Sequence, residues 1–151
     1  MLLSNKEFEP IVKSWSQPAE AYRSLILNLR LMDRGEKLQT LMVTSALPQE
    51  GKTTTLANLA VAYARSGANV LAVDFNLRNP RLHQAFGMEN TDGLRSCLQQ
   101  PENWELAVRS SGYANLSVLT AGRAVARGTE EFTTEQARTL FEQLKAAYDV
   151  V

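Results

Sequence analysis

Residues 41–55, Leu-Met-Val-Thr-Ser-Ala-Leu-Pro-Gln-Glu-Gly-Lys-Thr-Thr-Thr, constrain this chain more than any other stretch. An apolar, β-rich run ends at Thr44. A loop containing Pro48 and Gly51 follows, and a helical pattern opens at Lys52. Strand, loop, Gly-Lys-Thr and helix in that order are the parts of a nucleotide-phosphate cradle. The physics calls for this order, because loop amides and the positive end of the helix then face an anion together. Lys52 is placed to reach the β- and γ-phosphates, and the Thr53 hydroxyl to ligate Mg²⁺. Pro48, Gln49, Glu50, Gly51, Lys52, Thr53 and Thr54 are the candidate nucleotide-binding residues. Ala46 stands where GxxxxGK(S/T) has its first glycine.

The rest of the chain must supply a sheet for that cradle. At 151 residues it is long enough for one domain with a real core. Sixteen basic residues balance sixteen acidic ones, so no overall field draws nucleic acid or an anionic membrane to the surface. Cys97 is the single cysteine, which excludes an internal disulfide or a CxxC metal clip. The low-polarity run at 56–64 is too short to span a bilayer, and the N-terminus meets charge too early for a signal peptide. A soluble, intracellular chain is expected.

Residues 1–17 show no sustained period and read as an N-terminal arm; residues 18–151 read as one domain. Tyr22, Leu25, Ile26, Leu29 and Met32 form a helical stripe, broken at residues 33–37. A second helix after Lys52 ends at Gly67. Val70-Leu71-Ala72-Val73 is continuously apolar, as in a parallel strand buried on both faces. Short helices are expected at 81–86 and 94–99. A weak strand is expected at 106–108, a better one at 116–119, and a polar loop at 124–131. Thr133 and Gln136 have capping-box spacing, and Ala137, Leu140, Phe141, Leu144 and Tyr148 continue as a helical core stripe. Asp149-Val150-Val151 reads as the start of another central strand. The fold class is therefore α/β: a P-loop, three-layer α-β-α arrangement with a largely parallel sheet, expected to lack its C-terminal strands.

Asp74-Phe75-Asn76-Leu77-Arg78 follows the buried strand at its carboxyl end, where open α/β sheets place ligands. A carboxylate at Asp74 could hold a metal-bound water or accept a proton; the plainer alternative is that it merely caps the following segment. Arg78 and Arg81 flank Pro80 and could meet phosphate or an acidic partner. For the lone His83, packing or capping is the expected role.

Taken together, these stretches resemble the bacterial tyrosine kinases (BY-kinases) of capsule and exopolysaccharide synthesis. Residues 45–54 with Asn58-Leu59-Ala60 resemble that family's Walker A region. Residues 73–83 resemble its second acidic motif, Asp-x-Asp-x-Arg. Glu20-Ala21-Tyr22-Arg23 resembles its Glu-x-x-Arg-x-x-Arg self-association motif. Gly93-Leu94 and Leu119-Thr120-Ala121-Gly122 sit where the family has Gly-Leu and a Pro-Ala-Gly-like loop. The resemblance implies ATP and Mg²⁺, with Lys52, Asp74 and Arg78 catalytic and Thr53, Asp74 and Asn76 at the metal. It also implies a cytoplasmic position on the inner face of the membrane, docked to a transmembrane adaptor of the polysaccharide copolymerase type, with self-association through Glu20 and Arg23.

The departures from that pattern are Asn76 for the second aspartate, Ile26 for the second arginine and Gln49 where a small residue is usual. The acidic Walker B strand, expected after Val151, and a C-terminal tyrosine cluster are also missing. Three readings stay open: a tyrosine autokinase domain, a non-catalytic nucleotide-binding regulator docked to an adaptor, and a ParA/MinD-like ATPase. Leu47, standing where the last group carries its signature lysine, favours the kinase branch.

Overall fold

The computed structural model describes residues 17–32, 38–123 and 133–151. The expected arm (but for Gln17), the break at 33–37 and the polar stretch 124–131 lie outside these residues. In chain order the elements are α1 (Gln17–Leu31), α2 (Lys52–Arg65), β1 (Val70–Val73), α3 (Leu82–Ala85), α4 (Leu94–Gln99), α5 (Trp104–Ala107), β2 (Arg109–Ser110), β3 (Leu116–Leu119) and α6 (Thr134–Ala147).

Strand β1 is the two-faced element its sequence predicts. Val70 and Ala72 point into one core with α1, α2 and α3, where Ala19, Ile26, Val61 and Leu82 are buried. Leu71 points into the other, with Leu94, Leu98, Leu140 and Leu144 from α4 and α6. Alternation within the strand thus separates two helical layers, and the domain is α-β-α. Each fully buried leucine contributes about 1.5–3 kcal/mol relative to exposure, so the pairs Leu94/Leu98 and Leu140/Leu144 alone anchor α4 and α6.

The sheet has order β1-β3-β2. β1 and β3 are parallel, with Val70 opposite Leu116 and Val73 opposite Leu119. β2 is antiparallel to β3, a departure from a purely parallel sheet. A tight turn joins β2 to β3, with Asn115 at φ 61° and the Ser111 hydroxyl donating to the Leu116 carbonyl at 2.7 Å. So short a connection permits only antiparallel pairing.

Two expectations at the sheet need correction. Residues 106–108 do not form a strand. A 3₁₀ turn at Pro101–Asn103 leads directly into α5. Ala107 enters the second core while Leu106 is 75% exposed, a helical rather than a strand pattern. Residues 41–44 form no ladder strand. The backbone available to this segment is Val151, whose N–H donates to Gln39 O at 2.7 Å and whose carbonyl accepts from Leu41 N at 2.9 Å. Val150 in turn bridges to Val70 in parallel and accepts from Leu71 N at 2.9 Å. Val150–Val151 therefore sits between β1 and residues 39–41, as the reading of a new central strand requires.

The helix ends follow their local chemistry. Gly67, at φ 91°, closes α2, its N–H donating to Ala64 O at 3.0 Å. At α6 the capping box is formed in both directions. Thr133 N donates to Gln136 Oε1 at 2.8 Å, and Gln136 N donates to Thr133 Oγ1 at 3.2 Å.

Candidate nucleotide site

The cradle is shaped by two left-handed residues. Gly51, the N-cap of α2, has φ 83° and ψ 12° and provides no side-chain cap. Gln49 has φ 64°, a conformation that costs a non-glycine residue about 1–3 kcal/mol. The position where the family has a small residue is therefore one that asks for positive φ. The first intrahelical bond of α2 runs from Thr55 N to Gly51 O at 2.8 Å. The amides of Lys52, Thr53 and Thr54 find no acceptor among the described residues. Three open amides at the positive end of a 14-residue helix make an anion site.

Lys52 is folded into the loop it closes. Its Nζ donates to Ser45 Oγ at 2.6 Å and to Leu47 O at 3.2 Å, and Ser45 Oγ donates to the same carbonyl at 2.9 Å. Across the loop, the Glu50 carboxylate accepts from Leu47 N at 3.0 Å. That amide, with help from Ser45 and Lys52, holds the Glu50 carboxyl below its ordinary range. The role of Ser45 escaped the sequence reading; the available signal was a small hydroxyl seven residues before the lysine. Pro48 completes the rim and, like residues 46–51 generally, is exposed, whereas Lys52, Thr53 and Thr54 are half-buried.

The second acidic motif is a separate unit. Asp74 is only 7% exposed. Its Oδ1 accepts from Asn76 N at 3.1 Å, and its Oδ2 accepts from Arg81 N and Leu82 N, both at 2.9 Å. The carboxylate thus caps α3 and closes the loop before it. Asn76 Oδ1 accepts from Asn79 N at 3.1 Å. Arg78 is exposed between Leu77 and Pro80, which are both buried. His83 is half-buried, its Nδ1 without a partner among the described residues. Desolvation lowers its pKa, and the Asp74 carboxylate opposes that shift. No hydrogen bond or ion pair among the described residues joins Lys52 or Thr53 to Asp74, Asn76 or Arg78.

The Gly-Leu and Leu-Thr-Ala-Gly stretches meet. Leu94 N donates to Thr120 O at 2.7 Å and Arg95 N to Ala121 O at 3.2 Å. The Asn90 amide clamps Gly122 from both sides, donating to its carbonyl at 2.6 Å and accepting from its N–H at 2.9 Å. On α1, Arg23 and Glu20 pair with each other at 2.6 Å.

Among the described residues, no group of three or more His, Cys, Asp or Glu could hold a metal ion. A divalent cation here would need oxygens from a bound nucleotide beside a protein hydroxyl. No described helix is long and apolar enough to cross a membrane.

The model of the CobQ/CobB/MinD/ParA nucleotide binding domain matches residues 41–150, from the segment entering the cradle to the last bridge of the sheet. The chain belongs to this family. Within it, the chain is 40% identical over 133 residues to the tyrosine-protein kinase YwqD of Bacillus subtilis, covering 88% of this chain and 56% of the relative. The crystal structure of the chimerical protein CapA2B2 superposes with a TM-score of 0.86 at 32% identity, over 94% of this chain and 63% of that one. The kinase domain of Escherichia coli tyrosine kinase ETK gives 0.80 at 30% identity, over 87% and 52%. The chain thus spans a little over half the length of these relatives. The family membership makes this a nucleotide-binding P-loop domain, and of the proteins it resembles here YwqD and ETK are tyrosine kinases.

Proposed function

We propose that this chain is the ATP-binding portion of a bacterial protein-tyrosine autokinase that controls capsular or exopolysaccharide polymerisation and export. Residues 18–151 form the P-loop part and residues 1–17 an arm. The observation that carries the reading is the cradle: the Lys52 ammonium and three open amides converge on one loop. The 40% identity to YwqD supports it.

On this reading the amides of Lys52, Thr53 and Thr54 bind the β-phosphate, and Nζ of Lys52 leaves Ser45 and Leu47 for the β- and γ-oxygens. Exchanging a hydroxyl and a carbonyl for phosphate gives the ammonium a charged partner, so nucleotide opens the self-closed loop. The Thr53 hydroxyl and Asp74 are the protein groups that would hold Mg²⁺, which when bound neutralises charge on the transferring phosphoryl group. Thr53 is half-buried beside the open amides and fits that place; Asp74 already accepts three backbone amides and fits best through a bound water. Arg78, exposed at the carboxyl edge of β1, supplies a cation for the phosphoryl group or the acceptor. Glu20 and Arg23 on α1 belong to a self-association surface. A transmembrane copolymerase-type adaptor holds the kinase at the cytoplasmic face of the membrane.

The test is titration of a fluorescent ATP analogue with and without Mg²⁺, for this chain and for Lys52→Met, together with radiolabel transfer from ATP to tyrosine in the longer protein. Loss of one charge-assisted contact predicts affinity roughly tenfold to a hundredfold weaker in Lys52→Met. Equal affinity of the two would overturn the assignment. Nucleotide binding without transfer to tyrosine would favour the non-catalytic regulator.

A further inference from the structure

We infer that Asn76 is a positioning residue that sets Arg78, and not a metal ligand; this rests on the nucleotide-site reading above. Two overlapping side-chain-to-backbone turns organise the loop after β1. Asp74 Oδ1 takes the Asn76 amide at 3.1 Å, and Asn76 Oδ1 takes the Asn79 amide at 3.1 Å. The second turn spans Leu77 and Arg78. Its two ends are fixed: Leu77 is 3% exposed and seated in the core shared with α4 and α6, and Pro80 is buried. Arg78 is left exposed, next to the equally exposed Asn79, on a loop pinned before and after it. The loop is tied at its far end by the bonds from Arg81 N and Leu82 N to Asp74 Oδ2.

What this geometry asks of position 76 is an acceptor oxygen on a short side chain, and asparagine and aspartate supply it equally. The negative charge of an aspartate is not used by the turn. A neutral amide is also a weaker ligand for a hard divalent cation than a carboxylate. The aspartate-to-asparagine departure therefore keeps the function of the position. Fixing the loop lowers the entropy lost when the long arginine side chain meets an anion, so the turn acts through Arg78.

The experiment compares Asn76→Ala, Asn76→Asp, Arg78→Ala and the double variant Asn76→Ala/Arg78→Ala in the full chain. Amide hydrogen exchange is measured without nucleotide, and affinity for a fluorescent ATP analogue is measured across Mg²⁺ concentrations. Asn76→Ala should speed exchange at Asn79 about fivefold or more, the range of one net hydrogen bond, and Asn76→Asp should restore it. Asn76→Ala should weaken nucleotide binding in the parent but not in the Arg78→Ala background, and Asn76→Asp should leave the Mg²⁺ dependence where it was. The inference is overturned if Asn76→Asp lowers the Mg²⁺ requirement tenfold. It is overturned equally if Asn76→Ala weakens binding by the same factor with or without Arg78, or if Asn79 exchange does not respond. A parent chain that bound no nucleotide would refute the proposed function and the link to Arg78, while the exchange result would still decide the turn.

Discussion

A single methyl group added at Gly93 would meet backbone on three sides. An ideal Cβ there lies 2.1 Å from Thr120 O, 2.5 Å from Gly122 N and 2.7 Å from Thr120 C. The residue itself is extended, at φ 179° and ψ −153°, so alanine suffers no conformational penalty and the cost is purely steric. The atoms in the way are main chain and cannot rotate aside. The loop must separate, at the expense of the bonds from Leu94 N to Thr120 O and from Arg95 N to Ala121 O. Overpacking typically costs 1–3 kcal/mol, and two net hydrogen bonds add about 1 kcal/mol each, so Gly93→Ala should lose roughly 3–5 kcal/mol. For a chain of this size that lowers Tm by about 10 °C or more. Urea denaturation and a thermal scan would measure it. Gly87→Ala is the control: its φ is +63° with nothing within 4 Å of the added atom, so only the left-handed penalty of about 1–2 kcal/mol applies. A Gly93→Ala variant as stable as Gly87→Ala would refute the reasoning.

The capping box of α6 should respond to Thr133→Ala with a loss of about 1 kcal/mol in urea titrations, because Gln136 N loses its Oγ1 acceptor. Cys97 is 2% exposed, and burial pushes its thiol up to about 11. Iodoacetamide should therefore label it only as fast as the fold opens, and labelling should accelerate in step with urea unfolding. Burial lowers the pKa of His83 from 6.5 despite the Asp74 carboxylate, so the unfolded chain takes up this proton more readily than the folded one. Its contribution to stability is complete above the unfolded value and is lost as pH falls from there through the lower folded value. The fall in Tm between about pH 7.5 and 5.5 should accordingly be shallower in His83→Gln, and identical slopes would count against that assignment.

The sequence by itself determined the parts that depend on neighbours in the chain. The helix opening at Lys52, its stop at Gly67, the two-faced strand Val70–Val73 and the capping box at Thr133 all follow from local periodicity, backbone preference and capping chemistry. The order of cradle residues was legible for the same reason, since a phosphate loop is one continuous segment. Tertiary structure decided what depends on contacts between distant segments. The weld of Asn90, Gly93 and Leu94 to Thr120 and Gly122 spans about thirty residues and leaves no periodic trace. The helix at Trp104–Ala107, which runs into the weak strand expected at 106–108, is set by which of its residues the second core accepts. Residues 41–44 stay outside the ladder: among the described residues the Val151 backbone bonds reach Gln39 and Leu41 and go no further along this segment. Most consequential for function, the sequence and the family it resembles put Asp74 and Asn76 beside a metal. The fold shows where their oxygens are already engaged: three backbone amides on Asp74 and one on Asn76. Type is written in the sequence, but occupancy of a lone pair is settled only when the chain closes on itself.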